Sequence, residues 1–332
     1  MSGKPTSWPV ITRCARRFSS NFTWPWICGG LTSRSILPSR IETGPRRRPR
    51  IWTPAPGVDA AFGVSLFCLP LQSPENQVKA GRANVLGVGI SAINLDTAVA
   101  AIAEALARKT KGYVCVTGVH GVSEAQADPA FRTILNRAFL TTPDGMPTVW
   151  MGRWQGFRQM RRVYGPDLML RVCEFTRTRG YTHFLYGGAP GVADTLKARL
   201  EQRFPGLQIA GTYTPPFRPL NPAEEQQLQD LVGKLRPDIF WVGLSTPKQE
   251  KFMAQYWQRL EATLFFGVGA AFDFHAGRMR QAPRWMQRSG LEWLFRLGSD
   301  PGRLWKRYLK NNPLFILRAL GQVTRLRRYS LD

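Results

Sequence analysis

Acid is scarce beside base in this sequence: 22 Asp and Glu stand against 46 Lys and Arg in 332 residues, a formal charge of +24. That imbalance points to a polyanionic partner, either nucleic acid or an anionic membrane surface. The 5 cysteines (Cys14, Cys28, Cys68, Cys115, Cys173) show no paired spacing, which argues against a disulfide framework or a thiolate cluster and fits a reducing compartment. The 3 histidines are scattered and leave little material for a zinc site. No Asp-x-Asp pair occurs, so a magnesium-chelating sugar-nucleotide site of that type is not expected. Long apolar runs are missing as well. The uncharged stretches 18–33 and 60–73 are too short or too broken by proline for the roughly 20 apolar residues that span a bilayer. The expectation is a protein with no bound metal and no cofactor.

An apolar content of 43% is ample for a core, and the length allows one large domain or two modest ones. Residues 1–80 carry 11 Lys and Arg against 3 acids, with runs such as Arg46-Arg47-Arg48 and no sustained periodicity. No small-residue cleavage pattern follows a clean apolar region. This stretch reads as a disordered basic extension; a membrane-adhering segment and an over-long reading of the start are the alternatives. From residue 81 the pattern becomes regular. Apolar NVLGVGI (84–90) precedes a helical pattern over 94–109, with Leu95, Val99, Ile102 and Leu106 at helical spacing. Strands follow at 112–117, 182–186, 207–211, 239–244 and 263–268, with helices at 167–179, 192–203 and 222–235 between them. The alternation predicts an α/β fold, a Rossmann-like wound parallel sheet over 81–277, with a basic helical C-terminal appendage over 278–332.

The sequence is organised around PDIFWVGLSTPKQEKFM (237–253). Its short apolar run reads as a buried strand, and Thr246-Pro247 as the capped start of a helix. Lys248, Gln249 and Glu250 then lie at the carboxyl end of a parallel strand, where open α/β sheets bind ligands. Two further strand ends carry polar loops: Thr117-Gly-Val-His120, and Pro143-Asp144-Gly145. A third loop, Gly187-Gly188-Ala-Pro-Gly191, lets backbone amides approach a diphosphate at a helix start, or is simply a tight turn. It is not the Gly-x-Gly-x-x-Gly dinucleotide fingerprint, which argues against a nucleotide-dependent oxidoreductase.

The stretches NVLGVGISAINLDTAVAAI, TTPDGMPTVW, RRVYGPDLMLRVCE, FLYGGAPGVADTLKARL, FWVGLSTPKQEKFM and FFGVGAAFDFHAGRMRQAPRWMQRSGLEWLFRL, in that order over residues 83–307, resemble the WecG/TagA/CpsF family of bacterial glycosyltransferases. The resemblance implies a metal-independent, inverting transfer from a UDP-sugar to a polyprenyl-diphosphate-linked saccharide, in exopolysaccharide or cell-surface polysaccharide synthesis. It implies a cytoplasmic protein held peripherally on the inner face of the cytoplasmic membrane. Asp144 matches the family's loop aspartate, the candidate base, and Thr117 a threonine after the second strand. Where many members then carry Asn, this chain has Val119, and His120 is the candidate to take over that polar contact. Gly187, Gly188 and Gly191, with Lys248, Gln249 and Glu250, are expected to line the donor pocket. Asp273 is a candidate for a sugar or ribose hydroxyl.

Residues 278–332 hold 13 Lys and Arg against 3 acids, interleaved with Trp285, Trp293, Phe295, Trp305 and Tyr308. Basic residues beside Trp and Leu on short helices, one of them starting at Asn312-Pro313, fit an interfacial membrane segment. Arg288, Arg296 and Arg303 are the candidates for the acceptor or leaving diphosphate. A homo-oligomer is compatible with the sequence. A basic nucleic-acid-binding α/β protein is the rival reading. No recognised nucleic-acid motif supports it, so nucleic acid is not an expected partner.

Overall fold

The structure is a computed structural model and describes residues 81–331, which lie within one compact unit, Gln72–Asp332. The side chains of Arg303 and Arg307 are not among those described, and the expected extension over 1–80 lies outside the described residues.

The chain opens with a hairpin, β1 (Arg82–Val85) and β2 (Val88–Ser91), which pair antiparallel. Leu86 (φ 53°) and Gly87 (φ 82°) make its two-residue turn, both in the left-handed region that suits the twist of a tight hairpin. Then come α1 (Leu95–Ala107), β3 (Gly112–Thr117), α2 (Val119–Ala127), α3 (Pro129–Arg137), β4 (Leu140–Pro143), α4 (Met146–Trp154) and α5 (Gly165–Thr176). The second half supplies β5 (Thr182–Gly187), α6 (Val192–Arg203), β6 (Gln208–Tyr213), α7 (Pro222–Leu235), β7 (Ile239–Gly243), α8 (Lys248–Tyr256) and β8 (Leu264–Gly267). Four helices close the described chain: α9 (Ala271–His275), α10 (Arg284–Arg288), α11 (Glu292–Ser299) and α12 (Pro301–Val323).

Six strands form one parallel sheet in the order β4-β3-β8-β7-β5-β6, the wound sheet expected from the alternating pattern. Both faces are covered, which is why its strands read as continuous apolar runs. Along β7 the residues alternate between two cores: Phe240 and Val242 join α2, α3 and α8, while Ile239 and Trp241 join α1, α5 and α6. His183 is buried in the second layer. Its Nδ1 accepts from Trp241 Nε1 (2.9 Å), and its Nε2 lies 2.8 Å from Thr176 Oγ1. Burial pushes its pKa down to about 3, so the ring is neutral and Nε2 carries the proton toward Thr176.

Several local expectations change. The apolar stretch 84–90 falls in an antiparallel hairpin beside the sheet. The loop after β3 is already the first turn of α2, which puts His120 on a helix. The chain from Val119 to Arg137 forms two helices broken at Asp128, whose side chain accepts from Phe131 N (3.0 Å) and caps α3. Pro247, not Thr246, occupies the N-cap of α8 after a cis Thr246–Pro247 bond. No new helix starts at Asn312-Pro313: α12 runs through Pro313, anchored before it by buried Leu304 and after it by buried Phe315.

The C-terminal helices return to the sheet unit through the hairpin. Gln322 accepts from Leu86 N (3.0 Å) and donates to Asn84 O (2.8 Å), and Asn84 Nδ2 donates to Tyr329 O (2.7 Å). The first two bonds satisfy part-buried hairpin backbone groups with the Gln322 side-chain amide. They also set α12 above the carboxyl ends of the strands.

Candidate functional site

The carboxyl ends of β3, β4, β5, β7 and β8 open into a cleft of about 1560 Å³, with α11 and α12 on its far side. That is the edge of an open parallel sheet at which ligands bind. The cleft has two unlike ends.

At the β4 end the strand stops at Pro143 and delivers Asp144. Its N–H donates to Thr117 O (3.1 Å), which ties the two strand ends together. The Gly165 amide, at the start of α5, donates to its carboxylate. Asp144 Oδ1 is shielded from solvent and has no hydrogen-bond partner among the described residues. Burial pushes the carboxyl pKa up; Arg162 and Arg296 oppose that rise, and Glu292 adds to it. The Arg162 guanidinium lies over the Tyr164 ring (4.0 Å), binds the Glu292 carboxylate, and reaches the Asp144 backbone carbonyl. Arg296 projects from α11 with its Nε shielded and without a partner among the described residues. The Tyr164 hydroxyl is likewise buried and unpartnered there, and burial holds it protonated far above neutral pH.

The β5–β7 end is aromatic. Tyr186 stacks between Tyr213 (5.7 Å) and Phe252 (4.4 Å), and residues 215–220 with Tyr256 complete that wall. Lys248 stands exposed at the start of α8, with no ion-pair partner among the described residues. Gln249 is buried beside it. Its Nε2 donates to Glu250 Oε1 (3.0 Å) and Gly267 O (3.3 Å), which leaves Oε1 as an unpartnered acceptor among the described residues.

Of the residues expected from sequence, the cleft brings together Asp144, His120, Gly188, Lys248, Gln249, Asp273 and Arg296. Thr117, Gly187, Gly191, Glu250 and Arg288 are not among the residues of its wall. Thr117 is buried beneath the β3 end, its hydroxyl unpartnered among the described residues. A Cβ on Gly187 (φ 120°) would sit 2.7 Å from Gly243 O, so this glycine serves the close approach of β5 and β7. Gly191 (φ 77°) is the left-handed N-cap of α6. Glu250 is buried and accepts from Thr246 Oγ1 (2.8 Å) and Gln249; burial pushes its pKa up. Arg288 is exposed on α10, between cleft-lining Gln287 and Ser289 but not itself part of the wall, and Arg303 lies on α12 with its side chain not described. Asp273 sits in α9 rather than in a strand loop. His120 Nδ1 is 3.3 Å from Asn311 Nδ2 and 3.6 Å from Glu124 Oε1. Sequence reasoning did not single out Arg162, Tyr164 or Glu292. The first two stood inside the RRVYGPD stretch, and Glu292 is one of only 3 acids among the tail's 13 cations.

Comparison with known proteins identifies the lineage. Residues 83–329 match the model of the family described as glycosyl transferase WecG/TagA/CpsF. The chain belongs to that family. It is therefore a glycosyltransferase with a wound α/β core. Two relatives are named N-acetylglucosaminyldiphosphoundecaprenol N-acetyl-beta-D-mannosaminyltransferase. One, from Bacillus subtilis (strain 168), is 30% identical over 195 residues, 59% of this chain and 73% of the relative. The other, from Bacillus spizizenii, is 29% identical over 202 residues, 60% of this chain and 76% of the relative. In this glycosyltransferase no helix of the described residues is long and apolar enough to cross a membrane. Nor does any group of three or more His, Cys, Asp and Glu among the described residues offer a metal site.

Proposed function

We propose that this glycosyltransferase moves a sugar from a UDP-sugar to a polyprenyl-diphosphate-linked saccharide, with inversion and without a metal, in building a cell-surface polysaccharide. The observation that carries this reading is Asp144: a shielded carboxylate with a free oxygen, on the loop after β4, inside the cleft. The acceptor hydroxyl gives its proton to Asp144 Oδ1, and its oxygen attacks the anomeric carbon. The bond from that carbon to the diphosphate oxygen breaks on the opposite face, and UDP leaves with the electron pair. A carboxylate whose pKa is raised is a better proton acceptor near neutral pH, and such base catalysis contributes on the order of 10²–10⁴-fold. Lys248 at the start of α8 and Arg296 on α11 supply positive charge for the departing diphosphate. The aromatic end takes the nucleoside, and the unpartnered Gln249 Oε1 takes a donor hydroxyl or N–H.

The acceptor's names in the two relatives, an undecaprenyl-diphosphate-linked N-acetylglucosamine, support a lipid-linked acceptor here too. In this reading residues 81–277 form the catalytic core. Residues 278–332 hold it against the inner face of the cytoplasmic membrane, with exposed Trp285, Trp293, Trp305 and Leu309 among their cations. The test is release of UDP from a panel of UDP-sugars, with and without a polyprenyl-diphosphate-linked N-acetylglucosamine, in EDTA. Acceptor-dependent release from one donor is expected. Salt-sensitive DNA binding with no release from any donor would favour the nucleic-acid reading instead.

A further inference from the structure

Arg162 and Glu292 are 130 residues apart in sequence, yet they form the least exposed ion pair among those seen, each side chain 14% exposed. Most of the other pairs join well-exposed side chains and contribute little. This pair sits directly against the candidate base. Arg162 reaches the Asp144 backbone carbonyl on one side and holds Glu292 on the other. Gln287, on α10, adds an oxygen 3.4 Å from the same guanidinium. The charged and titratable groups facing Asp144 are then Arg162 and Tyr164 from the segment before α5, and Glu292 and Arg296 from α11.

We propose that Glu292 is a positioning residue for the transfer: its carboxylate, bound to Arg162, seats α11 beside Asp144 and balances the two arginines around the base. The inference rests on the reading of Asp144 as that base. Without the Glu292 charge, two guanidiniums face one carboxylate. Asp144 then becomes a weaker proton acceptor, and Arg296 loses the partner charge that fixes its helix. With it, four charges sum to zero in a site shielded from water, where an uncompensated charge is expensive. The carboxylate acts through Arg162, so it need not touch substrate.

The substitution Glu292→Gln keeps the shape and one oxygen for Arg162 while removing the charge. The pH profile of kcat/KM is measured for wild type, Glu292→Gln, Glu292→Asp and Asp144→Asn, together with donor KM and thermal midpoint. For Glu292→Gln the acid limb moves to lower pH and turnover at neutral pH falls about three- to tenfold, with donor KM unchanged. Glu292→Asp, which keeps the charge, returns the limb toward wild type; if the Gln variant does not fold, Glu292→Ala, which also removes the charge, carries the test, and its limb must move to lower pH. A limb superimposable on wild type in the charge-free Glu292 variant would overturn the assignment. A wild-type limb that persists in Asp144→Asn overturns the underlying reading of the base instead, which separates the two failures.

Discussion

The two ends of the cleft solve different problems with different materials. The β4 end is dry and ionic: Asp144, Arg162, Glu292 and Arg296 meet there with few polar atoms left to solvent. The β5–β7 end is aromatic, with buried Tyr186 and Phe252 stacked with half-buried Tyr213 beside an exposed lysine. They sit three to four strands apart along the sheet edge, about 14–19 Å at roughly 4.8 Å per strand. Charge placed in a low-dielectric corner changes how strongly a carboxylate holds a proton, which is chemistry. Stacking surface and a solvated cation change how long a nucleotide stays, which is binding. The separation predicts that substitutions at one end should alter turnover and those at the other should alter donor KM.

Arg162→Met should break that contrast most severely. It leaves Glu292 and Asp144 buried together with Arg296 alone to balance two carboxylates, and removing one partner of a buried pair costs about 3–5 kcal/mol. Chemical denaturation should show that loss, and transfer should fall more than about a hundredfold. At the other end Lys248→Ala should raise donor KM about fivefold and leave kcat nearly unchanged, as expected for an exposed cation on a diphosphate. The smallest effect is one of stability. The folded Asp144 carboxyl holds its proton to higher pH than the unfolded one, so ionising it costs stability above the unfolded pKa, a cost that fades as pH falls through the folded value. Asp144→Asn should therefore melt about 2–4 °C higher than wild type at neutral pH, and the difference should shrink on acidification. A variant that melts lower at neutral pH would show that the arginines more than offset the burial.

The sheet was legible because IFWVG and LFFG are short unbroken apolar runs between turn residues, and the structure puts β7 and β8 within a residue or so of them. The hairpin was not, because its turn uses Leu86 at positive φ, where a sequence reader looks for Asn or Gly. Pro313 misled in the same way: local rules end a helix there, while burial of Phe315 keeps α12 continuous. In the site, Asp144 and Lys248 announced themselves by standing at strand ends. Gly187 read equally well as a phosphate cradle and as a tight turn, and only the 2.7 Å approach to Gly243 O shows what its missing Cβ makes room for. The Arg162–Glu292 pair left no local trace, since nothing in the two motifs says that residues so far apart in the chain meet beside the base.

The most direct test measures donor binding and single-turnover transfer on the same preparation of Asp144→Asn, in EDTA. The account predicts a UDP-sugar affinity within about twofold of wild type and transfer reduced by on the order of 10²–10⁴-fold. Transfer at the wild-type rate would contradict it and move the chemistry away from the β4 end of the cleft.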